Sequence, residues 1–171
     1  MQPQLLLVDE NDNVIGYGDK LSVHERGDLH RAFSIFVFNE KNELLIQQRA
    51  LEKYHSGGLW TNTCCSHPVK GEDLEITLHK KLEQEMGFDC PLSFQYKFIY
   101  KAAFDNGLTE HELDHVFVGK YNGAVKPNPE EVADFKWVSI DWLRSDVQLY
   151  PENYTEWFKK IIPNLLSFTS V

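Results

Sequence analysis

A chain of 171 residues, 42% of them hydrophobic, is long enough to bury one core, and no shift in composition along it marks a second domain. Its 26 acidic residues outnumber 17 Lys and Arg and give a formal net charge of -9, which excludes the basic face that nucleic acid or an anionic membrane surface requires. Three cysteines, two of them adjacent at Cys64 and Cys65, make a poor disulfide framework and point to a reducing compartment, the cytoplasm.

Residues 1–9 lack a basic start and carry too short an apolar run for a signal peptide or a membrane span, so neither is expected. Residues 5–9 and 14–17 flank the turn-rich Glu10-Asn11-Asp12-Asn13 and read as a hairpin. Lys20, His24 and His30 follow in a polar stretch broken by Gly27. The run 32–38 is apolar on both alternating faces apart from Ser34, the pattern of a strand buried on both sides in mid-sheet. Residues 39–42 turn the chain into a second strand, 44–49, which delivers Arg49 at its end. A loop follows over 54–58, where Gly57-Gly58 permits a sharp bend or a close backbone approach.

From Asp73 onward, Leu74, Leu78, Leu82 and Met86 recur at fourfold spacing and mark one apolar helix face, with Gly87 where a C-terminal cap belongs. Pro91 precedes an aromatic strand over 94–100; Asp105-Asn106-Gly107 is a turn, and 108–121 returns as the partner strand. Pro127 and Pro129 mark an irregular connection before a short strand at 134–138. Ser139 caps a brief helix through Leu143, and 154–166 reads as a last helix that Pro163 must kink or end. This order predicts an α/β or α+β fold, a single domain over 1–171 in which helices flank a mixed sheet.

Candidate chemistry begins at Trp60-Thr61-Asn62-Thr63-Cys64-Cys65-Ser66-His67-Pro68, where a thiol stands two residues from an imidazole. Such a pair is reactive when the imidazole or a metal lowers the thiol pKa; otherwise Cys65 is a small apolar residue beside a hydrogen-bonded His67. Glu110 and Glu112 lie two apart on a strand, so both carboxylates project from one face and need a cation or a shared proton, unless they line a solvated edge. With His24, His30 and His67 they form a donor set suited to zinc, manganese or iron, although spacing alone leaves their convergence open. Lys20, Arg49, Lys53 and Lys81 sit near the ends of elements leading to Cys65 and suit phosphate oxygens or plain surface solvation, and Lys81 can instead pair with Glu85. Trp157 serves as core packing or as an aromatic wall for a cation.

Residues 66–88 resemble a degenerate Nudix box, G-x5-E-x7-R-E-U-x-E-E-x-G-U, where U is a bulky aliphatic. Glu72, Leu82, Glu85, Gly87 and, loosely, Phe88 are in register. Ser66 replaces the glycine, Lys80-Lys81 the Arg-Glu pair and Gln84 the first of the paired glutamates that gather metal in Nudix hydrolases. These departures are similar to those of the type I isopentenyl diphosphate delta-isomerases, which share the Nudix fold. The likeness covers nearly the whole chain. It runs from His24 and His30 with Arg31-Ala32-Phe33-Ser34, through Gln48-Arg49-Ala50-Leu51 and the Trp60 to Pro68 motif, to Glu85-Met86-Gly87, Tyr100, Glu110-His111-Glu112 and Trp157-Phe158.

That resemblance implies that His24, His30, His67, Glu110 and Glu112 ligate one divalent metal, Mn2+, Zn2+ or Mg2+, and that Cys65 and Glu112 flank the alkene as an acid/base pair. It further implies that Glu85 helps hold a Mg2+ arriving with the diphosphate, while Lys20, Arg49, Lys53 and Lys81 bind the diphosphate; the chemistry of a carbocation-like intermediate adds Trp157, with Tyr100 as a second candidate, as aromatic faces toward the cation. The expected activity is interconversion of isopentenyl and dimethylallyl diphosphate by a cytoplasmic monomer or weak dimer that binds no nucleic acid and no membrane. Its rivals are a Nudix hydrolase of a nucleoside diphosphate derivative and a non-catalytic diphosphate-binding module.

Overall fold

The computed structural model of the chain describes residues 2–165. Its centre is β3 (His30–Phe38), whose entire length runs parallel to β8 (Thr109–Lys120), with His30 opposite Glu112 and Phe38 opposite Lys120. On its other edge β3 meets three strands in succession: β1 (Gln4–Val8) at His30, β6 (Cys64–Ser66) at Phe33 to Ile35, and β4 (Leu44–Arg49) only at Phe38. β1 forms the predicted hairpin with β2 (Val14–Asp19); β7 (Leu92–Ala103) pairs with β8, and β9 (Val132–Val138) with β4. With β5 (Trp60–Thr61) on β4, this makes a mixed sheet of nine strands among the described residues.

Because β3 and β4 touch at one end and diverge, the ladder between them is replaced by buried polar side chains from 61–63. The Thr63 hydroxyl donates to the Leu45 carbonyl at 2.7 Å and accepts from the Val37 amide at 2.9 Å. Asn62 Nδ2 donates to the Ile35 and Cys64 carbonyls at 3.1 and 2.9 Å, and Gln47 Nε2 to the Thr63 carbonyl at 2.8 Å. Buried backbone groups left without a ladder need such partners, which explains the Thr-Asn-Thr sequence and fixes where Cys65 emerges. The short strands β5 and β6 carry too few residues to show a period, and the sequence reading assigns no element there.

Strand alternation divides the core in two. Phe33, Ile35, Val37 and Phe117 face α2 (Leu74–Met86), which buries Leu78, Leu82 and Met86; Asp73 caps it by accepting from the Ile76 amide, and Gly87 ends it at φ 75°. Phe36, Phe38, Val116 and Val118 face α3 (Ile140–Leu149) and α4 (Glu156–Ile161). Glu110 and Glu112 share the parity of Val116 and Val118, so they lie on the α4 side.

Three elements differ from the expectation. The polar stretch after Asp19 is a helix, α1 (Lys20–Arg26), capped by the Asp19 carboxylate on the Ser22 amide and ended by Gly27 at φ 73°. α3 continues to Leu149, well past Leu143. The last helix starts at Glu156 and gives way at Ile161 to a 3-10 turn, Ile162–Asn164, as Pro163 requires; the rest of the expected segment lies outside the described residues. No helix among the described residues is long and apolar enough to cross a membrane.

Candidate active site

Five widely separated side chains converge at one end of the sheet. His24 comes from α1, His30 starts β3, His67 follows β6, and Glu110 and Glu112 lie on β8. The His24 and His30 ring centroids are 5.0 Å apart, His30 and His67 4.9 Å, and His24 and His67 5.8 Å. His24 Nδ1 donates to the Lys20 carbonyl at 2.7 Å and His30 Nδ1 to the Asp28 carbonyl at 2.9 Å, which turns each Nε2 inward. His67 Nε2 lies 2.7 Å and His30 Nε2 3.4 Å from Glu112 Oε2, and His24 Nε2 lies 4.0 Å from Glu110 Oε2. Tyr100 lies behind the carboxylates, its OH donating to Glu112 Oε1 at 2.6 Å and contacting Glu110.

This set fits a divalent cation. His24 and His30 are fully buried, yet neither Nε2 has a hydrogen-bond partner. A buried lone pair without a partner is costly, whereas imidazoles whose Nδ1–H groups are held by backbone carbonyls are the usual form of a metal ligand. The charge states differ among the three imidazoles: burial would lower His30, but its closeness to Glu112 outweighs this and raises its pKa. Burial depresses His24 to about 4, leaving it neutral, and burial also lowers His67 against the pull of Glu112. Burial would raise Glu112, but the nearby His30 and the hydrogen bond to His67 win and keep it well below the usual carboxylate range. Groups drawn from His24, His30, His55, His67, Glu110 and Glu112 bring ligand atoms within 4.8 Å of one another.

Beside this cluster a cavity of about 460 Å³ is lined by Cys65, Trp157, Glu110 and Glu112 together with Lys20, Arg49, Lys53, Lys81 and Glu85. It therefore joins a small apolar wall, Cys65 and Trp157, with the two carboxylates beside it, to a cationic wall. Arg49 bridges them: its Nη1 lies 3.9 Å from Cys65 Sγ, and its guanidinium stands 5.2 Å from the Trp157 ring centroid. Trp157 is both buried and part of the wall, its Nε1 donating to Asn62 Oδ1 at 3.1 Å. Lys53 pairs with Glu131, and Lys20 lies 4.8 Å from the Tyr54 ring centroid. Burial lowers the Lys20 pKa, helped by the neighbouring Lys53 and Arg49 charges, and burial raises Glu85.

The geometry bears on three readings that the sequence leaves open. His67 does not activate Cys65: its Nε2 is engaged by Glu112, and burial pushes the thiol well above its ordinary value, so Cys65 carries its proton. Tyr100 does not line the cavity but holds the two carboxylates from behind. Lys81 faces the cavity and makes no ion pair with Glu85 among the described residues, because Glu85 is turned toward Gln47 Nε2 at 3.3 Å.

Two participants were missed. His55, in the loop after β4, places Nε2 2.7 Å from Glu110 Oε2; far from Glu110 in sequence and adjoining a glycine turn, it carries no spacing signal. Glu131 is drawn to Lys53 across the cavity by the β4–β9 pairing, a long-range contact that no local pattern announces.

The NUDIX domain family matches residues 28–165. Solved structures of similar fold include DR0079 from Deinococcus radiodurans, with a TM-score of 0.78 at 15% identity over 95% of this chain and 98% of that one. The MutT protein from Methanosarcina mazei gives a TM-score of 0.68 at 16% identity over 84% of this chain and 96% of that one. Fold and sequence thus place the chain among NUDIX domain proteins. Closer in sequence are isopentenyl-diphosphate Delta-isomerase 2 of Photorhabdus laumondii, 52% identical over all of this chain and 96% of its own length, and the isopentenyl-diphosphate Delta-isomerase of Pectobacterium atrosepticum, 46% identical over 91% of this chain and 87% of its own length. The chain belongs to this isomerase family within the NUDIX fold.

Proposed function

We propose that this cavity interconverts isopentenyl and dimethylallyl diphosphate by moving a proton on and a proton off a five-carbon alkene. The observation that carries the reading is the sharing of one cavity by Cys65, Glu112 and Trp157 with Lys20, Arg49, Lys53 and Lys81. The four cations suit the diphosphate, Arg49 through its planar fork of donors, and they anchor the chain so that its alkene points toward the apolar wall.

His24, His30, His67, Glu110 and Glu112 would hold one divalent ion, with Mn2+, Zn2+ and Mg2+ as candidates, and Glu85 a Mg2+ that enters with the diphosphate. The first ion supplies positive charge that lets two carboxylates stay close and ionised in a buried place. Cys65 and Glu112 then act on the alkene. One gives a proton to the terminal CH2 carbon, which leaves a tertiary cation at C3; the other takes a proton from C2, and the electron pair of that C–H bond forms the new double bond. The Trp157 face and the Glu110 and Glu112 charges stabilise the cation.

The three free cysteines suit a reducing, cytoplasmic setting. The position Gln84 gives the helix one cavity carboxylate, Glu85, where a Nudix hydrolase uses a pair, and this favours isomerisation over hydrolysis. Proton NMR of the protein with isopentenyl diphosphate and Mg2+ in heavy water tests the reading. Dimethylallyl diphosphate carrying deuterium, lost in Cys65→Ala, is expected; phosphate release without alkene migration would identify a hydrolase instead.

A further inference from the structure

We propose that His55 is a positioning residue that holds the Glu110 carboxylate toward the histidine cluster, an inference that rests on the metal-site reading above. The loop between β4 and β5 folds back on itself. Ser56 and Gly58 take left-handed conformations at φ 56° and 81°, and a Cβ at Gly57 would lie 2.4 Å from the Leu51 carbonyl oxygen. The fold-back turns His55 inward, where it is 8% exposed.

Its ring is fixed on several sides. It stacks on Phe104 at 4.7 Å with 12° between planes, and meets Trp157 edge-on at 5.8 Å. Arg49 Nη2 donates to the His55 carbonyl at 3.1 Å, and Nδ1 lies 3.2 Å from the Ser56 hydroxyl. With that hydroxyl donating to Nδ1, the proton resides on Nε2, which donates to Glu110 Oε2 at 2.7 Å. The other oxygen, Oε1, is taken by Tyr100. Glu110 is therefore gripped at both oxygens, with Oε2 between His55 and the unpartnered Nε2 of His24 at 4.0 Å. A carboxylate so held meets an ion without reorienting, and partners of this kind affect metal affinity by about 10- to 100-fold. The same loop carries Lys53, and Arg49 precedes it, so one segment bears on the Glu110 orientation and supplies two of the four cations of the cationic wall.

The test is titration of metal-free wild type, His55→Ala and His55→Gln with Co2+, reading affinity by chelator competition and coordination by the visible spectrum. Binding by wild type tests the underlying site; its failure would remove that reading, and this inference with it. Given wild-type binding, His55→Ala is expected to weaken Co2+ by about 10- to 100-fold with unchanged spectral bands. His55→Gln, whose amide N–H can reach the same oxygen, is expected to regain most of the loss. Wild-type affinity in His55→Ala overturns the inference, and so does a change of coordination number, which would make His55 a ligand. Urea unfolding of the metal-free proteins checks the fold. If Ala does not fold, Gln against His55→Leu, which fills the space without a donor, decides on the same criteria.

Discussion

Replacing Tyr100 by Phe removes one hydroxyl and keeps the ring, so no cavity is created. That hydroxyl donates to Glu112 Oε1 at 2.6 Å and also contacts Glu110, and all three residues are buried. Burial, and then the charges of Glu110 and Glu112, raise the phenol well above its usual pKa, so it is a permanent donor. A hydrogen bond to a charged group contributes about 1.5–3 kcal/mol. In a chain of this size each kcal/mol moves the melting temperature by about 2–4 °C, so metal-free Tyr100→Phe should melt about 3–12 °C lower at pH 7. If the bond persists in the transition state, kcat falls by about 10- to 150-fold. KM should change little, since Tyr100 does not line the cavity. Thermal melts followed by circular dichroism and the NMR turnover assay measure both quantities. An unchanged midpoint with an unchanged kcat would refute the assignment of Tyr100 as the group that fixes the carboxylates.

Metal analysis of purified protein should find a tightly held divalent ion that is lost in Glu110→Gln and in His67→Ala; full occupancy in both folded variants would sink the ligand assignment. A pH effect is expected away from the site. Burial opposes ionisation of Asp12, but Arg31, His115 and Lys97 hold its pKa below 3.8, so its stabilisation is complete above that value and is lost as pH falls through the depressed value. Asp12→Asn, tolerated at φ 67°, should be less stable than wild type at pH 7, with the gap closing below pH 3.8 in urea titrations; a constant gap would contradict this. Gly87→Ala should lose more than about 1 kcal/mol in the same assay, because φ is 75° and the new Cβ would lie 2.2 Å from the Lys126 carbonyl oxygen.

Local patterns determined much of this protein. The apolar run at 32–38 was legible as the central strand, and the Leu74, Leu78, Leu82, Met86 spacing with its Asp73 and Gly87 caps as α2, because periodicity and capping are written within a few residues of one another. The two-residue spacing of Glu110 and Glu112 placed both on one strand face, and the ordered likeness to the isomerases gathered the histidines into one expected set. Tertiary structure decided the rest. It brought His24, His30 and His67 within reach of the carboxylates, because parallel pairing sets His30 opposite Glu112 from the far end of the sequence. It placed Tyr100 behind the carboxylates rather than on the cavity lining, since β7 pairing sets Tyr100 opposite Glu112. It also directed His67 to Glu112 instead of Cys65, and turned His55 and Glu131 into the site. A sequence fixes which chemical groups exist and the local elements that carry them. Which groups meet depends on strand pairing and burial across the chain, and those same contacts set which of them hold a proton.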